Sequence, residues 1–401
     1  MNFGSLLSFF SKKEQSVLGI DIGSSAIKVV QIKNKRGRIV LETYGELSLG
    51  PYAGIEVGRA TNLTPEKLSE ALRDILREAK TTSMSAGTAL PLSSSLISFA
   101  TLPQVPEKQL ADMITIEARK YIPVPMNEVM LDWSLIPRED SFGTDEGNTE
   151  QQSKEPEIVF NKDLNRDIQR PGGTGATKEI QKSPSPQTQD VLIVAILNEY
   201  INNYQMIMNT IEVKTSFYEI ELFSSIRAVI DQGIQAVMIV DMGARSTKLY
   251  IVERGILRSS HIINKGSQDI TLALSKALSL GINEAENLKR NYGLKGGPEY
   301  KDLTEIITIN LDYIFYEANA TLLNYQRKYN KNIAKIVLTG GGVLLKGFID
   351  LAKISFQTEV VRANPFGKLE TPAFLAPQFA EAGPEFAVAI GVALRRLAES
   401  E

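Results

Sequence analysis

Val17-Leu18-Gly19-Ile20-Asp21-Ile22-Gly23-Ser24-Ser25-Ala26-Ile27-Lys28 reads as an apolar strand, an Asp-x-Gly turn and the start of a second strand. The pattern returns 220 residues later as Val237-Met238-Ile239-Val240-Asp241-Met242-Gly243-Ala244-Arg245-Ser246-Thr247-Lys248. In both copies a lysine follows the aspartate by seven positions. One such hairpin is commonplace; two that open comparable halves of a chain argue an internal duplication. The residue types have chemical reasons. An aspartate at a strand end sets a carboxylate beside the turn, where it can hold Mg²⁺ through water. Glycine lets the backbone approach a ligand closely. Ser24, Ser25 and Ser246 add hydroxyl donors, and the turn's N–H groups form an anion nest. Two such hairpins face to face would grip a polyphosphate from both sides. Lys28 could reach a phosphate or extend to solvent, and the sequence leaves both open.

A third glycine-rich turn, Thr339-Gly340-Gly341-Gly342-Val343, follows an apolar strand at Ile333–Leu338. Bare backbone there would let a sugar and its first phosphate lie close, although such strand-to-helix turns are frequent. Before it comes Ala285-Glu286-Asn287-Leu288-Lys289, whose Glu and Lys share one helix face. By itself that pair reads equally as a surface ion pair.

The rest of the chain alternates strands and helices, which argues an α/β protein. Strands are expected at Val17–Ile22, Ile27–Ile32 and Ile39–Tyr44, and a helix from Thr64-Pro65 to Lys80. A second helix starts at Pro106 and is broken by Tyr121-Ile122-Pro123-Val124-Pro125. Val129–Ile136 alternates apolar and polar residues like a half-buried strand, and Val191–Leu197 reads as a strand buried on both faces. Between them, Arg138–Asp190 has only eight apolar residues in 53 and is expected to be disordered. Its Ile158-Val159-Phe160 is either a transient cluster or a partner motif. Growing a loop to that length costs on the order of 2 kcal/mol, so the segment reads as an insertion between two strands of one sheet.

Composition narrows the chemistry. The chain has 401 residues, 43% apolar and 23% charged, enough for two lobes with a large core. A net charge of −3, with 44 basic against 47 acidic residues, gives no footprint for nucleic acid. With no cysteine, thiolate metal sites and cysteine nucleophiles are excluded; with His261 alone, so is a histidine-rich metal site. His261, on a strand-like stretch at Ser259–Ile263, reads as structural, and Trp133 as core. The opening Met1–Phe10 run is apolar but precedes its lysines, unlike a secretory signal, and is too short to span a bilayer. Leu6, Leu7, Phe9 and Phe10 could touch a membrane surface or pack on themselves.

Asp21-x-Gly23, Asp241-x-Gly243 and Gly340–Gly342, in that order and spacing, resemble the superfamily of actin, the heat-shock chaperone ATPases and the sugar kinases. The resemblance implies two lobes of duplicated ribonuclease-H-like domains with ATP between them. It assigns Asp21, Gly23, Ser24, Ser25 and Lys28, with Asp241, Gly243 and Ser246, to phosphate and metal. Glu286, Lys289, Gly266 and Gly340, Gly341 and Gly342 are assigned to the rest of the nucleotide, and Asp21 and Asp241 to Mg²⁺ through water. The connecting helix of such proteins carries an acid near the attacking water. Glu219 and Glu221 lie in the corresponding segment, and Glu221 is the catalytic candidate.

A narrower resemblance covers nearly the whole chain outside Arg138–Asp190. Ile116-Glu117-Ala118-Arg119-Lys120-Tyr121-Ile122-Pro123-Val124-Pro125, Val129–Trp133, Gly19–Ser25 and Lys289–Gly293 are similar to the PilM proteins of type IV pilus assembly. It implies an actin-like α/β fold with an FtsA/PilM-type inserted subdomain. The domains would be a tail at 1–16, a first lobe at 17–82, an inserted subdomain at 83–215 containing the disordered 138–190, a connecting helix at 216–235, a second lobe at 236–384 and a C-terminal helix at 385–401. The family implies an ATP- and Mg²⁺-binding adaptor at the inner face of the cytoplasmic membrane, with slow or absent hydrolysis. Its partner would be the cytoplasmic N-terminal tail of PilN, with the PilO and PilC platform and the pilus motor ATPases beyond it; self-association is open. Two alternatives share the fold. A division filament of FtsA type is expected to carry a C-terminal membrane-binding helix, whereas Glu385–Glu399 reads as a packed helix with Gly391 at its contact. A sugar or acetate kinase needs a placed carboxylate base, and Asp132, on a strand facing solvent, reads as structural.

Overall fold

The computed structural model describes residues 15–137, 188–231, 233–296 and 302–399. The readings on Leu6, Leu7, Phe9, Phe10 and Ile158-Val159-Phe160 lie outside these residues, as does the expected disorder over 138–187.

In chain order the strands of the first half are β1 (Ser16–Ile22), β2 (Ala26–Lys35), β3 (Arg38–Ser48), β4 (Ser85–Leu90), β5 (Ser95–Pro103), β6 (Val129–Ile136), β7 (Thr188–Leu197) and β8 (Lys214–Ile220). Then follow β9 (Ala236–Met242), β10 (Thr247–Glu253), β11 (Ile256–Ile263), β12 (Ile333–Thr339) and β13 (Glu359–Arg362). The helices are α1 (Pro65–Glu78), α2 (Glu107–Ala118), α3 (Asn198–Thr210), α4 (Glu221–Val229) and α5 (Ser267–Leu278). After them come α6 (Ile282–Asn291), α7 (Leu303–Tyr329), α8 (Phe348–Ser355), α9 (Ala376–Ala382) and α10 (Ala387–Ala398).

The chain separates into a larger unit, Met1–Ser93 with Asn202–Glu401, and a smaller one, Ser94–Ile201. The larger unit holds two five-stranded sheets of the same order, β3-β2-β1-β4-β8 and β11-β10-β9-β12-β13. In each, three antiparallel strands come first and two parallel ones are added beside the first strand. The duplication read from the two hairpins is therefore a duplication of whole sheets. Register places Asp21 opposite Lys28 and Asp241 opposite Lys248, which explains the shared seven-residue spacing.

Strand β9 is buried along its whole length because the second sheet is covered on both faces. One cover is built from α5 to α8, with Ile270, Leu274, Leu311, Phe315 and Phe348 packed on Met238, Val240 and Leu338. In the first lobe, α10 plays that role against Val17, Val30 and Ile32. It approaches so closely that glycine is demanded twice. A Cβ on Gly19 would lie 2.0 Å from the Ala389 carbonyl oxygen, and one on Gly391 would lie 1.9 Å from that of Ser224 in α4. Gly391→Ala is therefore expected to destabilise the protein by about 1–3 kcal/mol, read from urea unfolding, because a backbone atom cannot yield as a side chain can. An unchanged midpoint would mean that α10 and α4 part easily.

The smaller unit is a three-stranded antiparallel sheet, β5-β7-β6. Leu110, Ile114 and Ala118 of α2 cover one face, packing on Ala100, Leu102, Ile193 and Ala195, and Trp133 packs against this cluster. Strands β6 and β7, on either side of the apolar-poor segment, pair directly.

Several expected boundaries move. The inserted unit runs from Ser94 to Ile201 rather than 83 to 215, because β4 and β8 are strands of the first sheet. Residues 216–235 do not form one helix: β8 continues to Ile220 and α4 starts at Glu221. Thr188, Gln189 and Asp190, read as part of the disordered segment, instead open β7, with Thr188 paired to Pro103. The C-terminal helix starts at Ala387 rather than Glu385, because Gly383–Phe386 is a separate tight turn.

Candidate functional site

The two Asp-x-Gly hairpins and the glycine turn after β12 meet in a cavity of about 320 Å³ within the larger unit. The hairpins are built alike: Gly23 N–H donates to the Ala26 carbonyl at 3.0 Å, and Gly243 N–H to the Ser246 carbonyl at 3.0 Å. The third turn needs glycine for two reasons. Gly340 has φ +86°, and a Cβ there would lie 2.5 Å from Asp241 Oδ1. The turn thus closes directly onto the carboxylate of the second hairpin, and its N–H is held by the Pro384 carbonyl at 2.9 Å.

Asp21, Gly23, Ser24, Ser25, Lys28, Asp241, Gly243, Glu286, Lys289, Gly340, Gly341 and Gly342 all line the cavity, and Glu221 lines it as well. Gly266 and Ser246 lie behind the wall. Ser246 supplies the carbonyl that closes the second hairpin, and a Cβ on Gly266 would lie 2.4 Å from the Ala244 carbonyl oxygen. Lys28 points into the cavity, where Glu46 holds its Nζ at 3.3 Å. Glu219 does not reach the cavity wall: it is buried at the end of β8 and bound by Arg227 and Arg395.

The electrostatics concern crowded carboxylates. Burial pushes the Asp21 carboxyl up to about 7; Lys28 opposes this, while Glu221 and Asp241 add to it. Burial likewise raises Asp241 against the pull of Lys248. Lys248 is raised because Glu221 and Asp241 outweigh its own burial. Its Nζ donates to Glu221 Oε2 at 2.6 Å, and the Leu92 N–H donates to Glu221 Oε1 at 2.7 Å. Both oxygens of Glu221 are therefore engaged. Carboxylates raised by burial and mutual repulsion are relieved by a cation. Among the described residues no group of three or more His, Asp or Glu side chains stands ready to hold a metal ion by itself. Asp21 and Asp241 on one cavity wall are the kind of donor set that Mg²⁺ uses, with water and phosphate oxygens completing its shell.

At the far end, Glu286 and Lys289 are a buried pair rather than a surface one. Lys289 Nζ lies 2.7 Å from Glu286 and donates to Thr271 Oγ1 at 2.8 Å and the Ser267 carbonyl at 3.1 Å. Burial raises Glu286, but Lys289, Thr271 and Arg290 together hold it below the usual carboxylate range. Burial holds Lys289 down. The pair forms a polar floor to the cavity.

Three features escaped the sequence reading. Glu385, beside the third turn, is raised to about 7 by burial and by Glu46, with Lys28 and Arg290 opposing. Its only local signal is its place after Gly383-Pro384. Arg290, which pairs with Glu286 at 2.6 Å, follows Lys289 directly. The loop over 56–62 ties both hairpins together. Thr61 N–H donates to the Ser24 carbonyl at 2.8 Å, Arg245 Nη2 donates to the Thr61 carbonyl at 3.0 Å, and Ala60 N–H reaches Gln268 Oε1 at 3.1 Å. Nothing in its composition announces that role. His261 lies on β11, 3.7 Å from Glu317 and outside the cavity, and Asp132 Oδ1 accepts the N–H of Trp133.

Known proteins place this geometry. The chain is 27% identical over 157 residues to the cell division protein FtsA of Streptococcus pneumoniae serotype 2 (strain D39 / NCTC 7466), 34% of this chain and 34% of that protein. The match thus spans about a third of that curated relative's length. Among solved structures, one described as a PilM-PilN type IV pilus biogenesis complex superimposes with a TM-score of 0.74 at 20% identity, over 96% of this chain and 99% of the other. The ethanolamine utilization protein EutJ from Carboxydothermus hydrogenoformans superimposes with a TM-score of 0.50 at 12% identity, over 95% and 90%. Such neighbours and the paired sheets make the fold actin-like. No described helix is long and apolar enough to cross a membrane. The sequence profile of the family described as type IV pilus assembly protein PilM matches residues 19–146 and 178–397, skipping only 147–177 within the apolar-poor segment, and the chain belongs to that family.

Proposed function

We propose that the chain is an ATP- and Mg²⁺-binding adaptor of the type IV pilus inner-membrane platform, which holds the N-terminal tail of PilN and couples it to the pilus motor. The observation that carries the nucleotide part is the paired Asp21–Lys28 and Asp241–Lys248 hairpins opening into one cavity. Asp21 and Asp241 would hold the ion through water, the two hairpins the phosphates, and Glu286 with Lys289 the sugar and base. Bound Mg²⁺ would neutralise the phosphates and the crowded carboxylates together. The partner part rests on membership of the PilM family and on likeness to a structure described as a PilM–PilN complex.

The setting of Glu221 supports a reading of slow or absent turnover. Each of its oxygens already accepts one hydrogen bond, from Lys248 and from the Leu92 N–H, and a carboxylate held in this way is a weaker base toward water. Calorimetric titration with a peptide of the PilN cytoplasmic tail, with and without Mg-ATP, tests the reading. One-to-one binding without phosphate release is expected. Absence of binding in both states, with ATP-dependent sedimentation, would replace it with a division-type filament.

A further inference from the structure

Helix α7 (Leu303–Tyr329) buries Ile307, Leu311, Ile314, Ala318, Leu322 and Tyr325 against the second sheet. The outer face of such a helix should be polar, and this one is not. Ile309 is 62% exposed, Tyr313 45%, Tyr316 70% and Leu323 46%. With Ala320 they follow one another at spacings alternating between four and three, the repeat of a coiled-coil seam. At 1.5 Å per residue the row from Ile309 to Leu323 is about 21 Å long. Single exposed apolar residues need no explanation, but a continuous row with two tyrosines has the composition of an interface.

The row also says what covers it. Tyr316 stands at its centre, with Ile309 and Leu323 equally far on either side. Four residues beyond Ile309 is Glu305, and four beyond Leu323 is Arg327. Both are exposed, and neither forms an ion pair with another described residue. Two copies of α7 crossing antiparallel about a two-fold axis at Tyr316 would set Ile309 on Leu323 of the other copy. The same crossing sets Glu305 against Arg327 twice. A parallel crossing would instead bring Glu305 to Glu305. We propose that this face of α7 is the two-fold interface of a homodimer, with Tyr316 on the axis and the Glu305–Arg327 pairs at its ends. The interface is separate from the nucleotide cavity, and the proposal stands whether or not that cavity takes ATP.

Sedimentation equilibrium of the full chain over a range of concentrations should show a reversible monomer–dimer equilibrium. Tyr316→Arg removes two aromatic contacts and brings like charges together on the axis, so it should weaken the dimer at least about 100-fold. Glu305→Arg should weaken it as well, and adding Arg327→Glu to that variant should restore it. Unchanged thermal unfolding of the monomers separates these effects from misfolding. The chain contains no cysteine, so Tyr316→Cys introduces the sole thiol. It should oxidise to a disulfide-linked dimer, whereas Ile354→Cys, at a position 81% exposed on α8, should not. A chain that stays monomeric at every concentration overturns the proposal. So does a dimer indifferent to Tyr316→Arg and to the charge reversal, since α7 would then face another partner or solvent.

Discussion

Replacing Arg395 with methionine lowers the unfolding free energy at pH 7 by about 3 kcal/mol, the low end of the 3–5 kcal/mol seen when a buried charge loses its partner. Glu219 is the charge at stake. Its side chain is 1% exposed, and Arg227 grips both carboxylate oxygens at 2.8 Å. Ser224 donates at 2.6 Å and Arg395 Nη1 at 2.6 Å. Burial alone would raise the Glu219 pKa, yet the two arginines and the hydroxyl hold it below the usual range. The group is therefore an ion in the core, and Arg395 ties it to α10 across 176 residues of sequence. Methionine keeps most of the packing over Phe217, where the guanidinium lies 4.4 Å from the ring centre. Arg227 remains, which keeps the loss at the low end. A depressed carboxyl pKa contributes stability above the unfolded value of about 4.3 and loses it as pH falls through the folded value, so the difference between wild type and variant shrinks below about pH 4. Urea unfolding at pH 7 and pH 3.5 measures both. A loss under about 1 kcal/mol at pH 7 would mean that Arg227 alone satisfies the carboxylate.

That network also explains what could be read without a structure and what could not. The hairpins were legible because strand, turn and lysine spacing recur, and register makes the spacing obligatory: Lys28 and Lys248 face their aspartates across the ladder. The third turn was legible because Gly340 and Gly342 sit where a side chain would strike Asp241 or Met242. Strand β4 was not. Ser85-Ala86-Gly87-Thr88-Ala89-Leu90 has no bulky alternation, and it is a strand because β1 and β8 flank it and leave room only for small residues. A Cβ on Gly87 would lie 2.5 Å from the Phe217 ring. Missing β4 moved the edge of the inserted unit outward. The roles of Glu219 and Glu221 could not be separated for a similar reason. They are two residues apart, but one ends a strand facing the arginines and the other starts a helix facing Lys248. Glu46 and Glu385 enter the cavity from segments far apart in sequence, so no local pattern joins them.

Asp21→Asn makes the ligand-free protein more stable at pH 8 and weakens Mg-ATP binding at least about 100-fold. The two effects share one cause. Burial first, then Glu221 and Asp241, lift the Asp21 carboxyl to about 7 against the pull of Lys28. A folded-state pKa above the unfolded value of about 3.9 gives stability that is full below that value and lost as pH rises through 7. Above pH 7 the ionised carboxylate burdens the empty protein. Asp21 is only half-buried, so solvent screens part of this, and about 1–2 kcal/mol is expected back on substitution. The same ionised oxygen is what a hydrated cation would use, and asparagine offers no charge. Wild-type affinity for Mg-ATP should therefore fall as pH drops below 7, by up to about tenfold per unit for one proton. In Asp21→Asn the slope should flatten. Glu385 titrates in the same range from the third turn, so Glu385→Gln is the control that keeps the Asp21 slope. Calorimetry from pH 6 to 8, with thermal unfolding of the ligand-free proteins, reads both effects. If the variant bound Mg-ATP like wild type, the first hairpin would not hold the ion. If it bound weakly but gained no stability at pH 8, the carboxylate would be solvated in the empty cavity, and the cleft would be open enough to admit water around Asp21 before any nucleotide arrives.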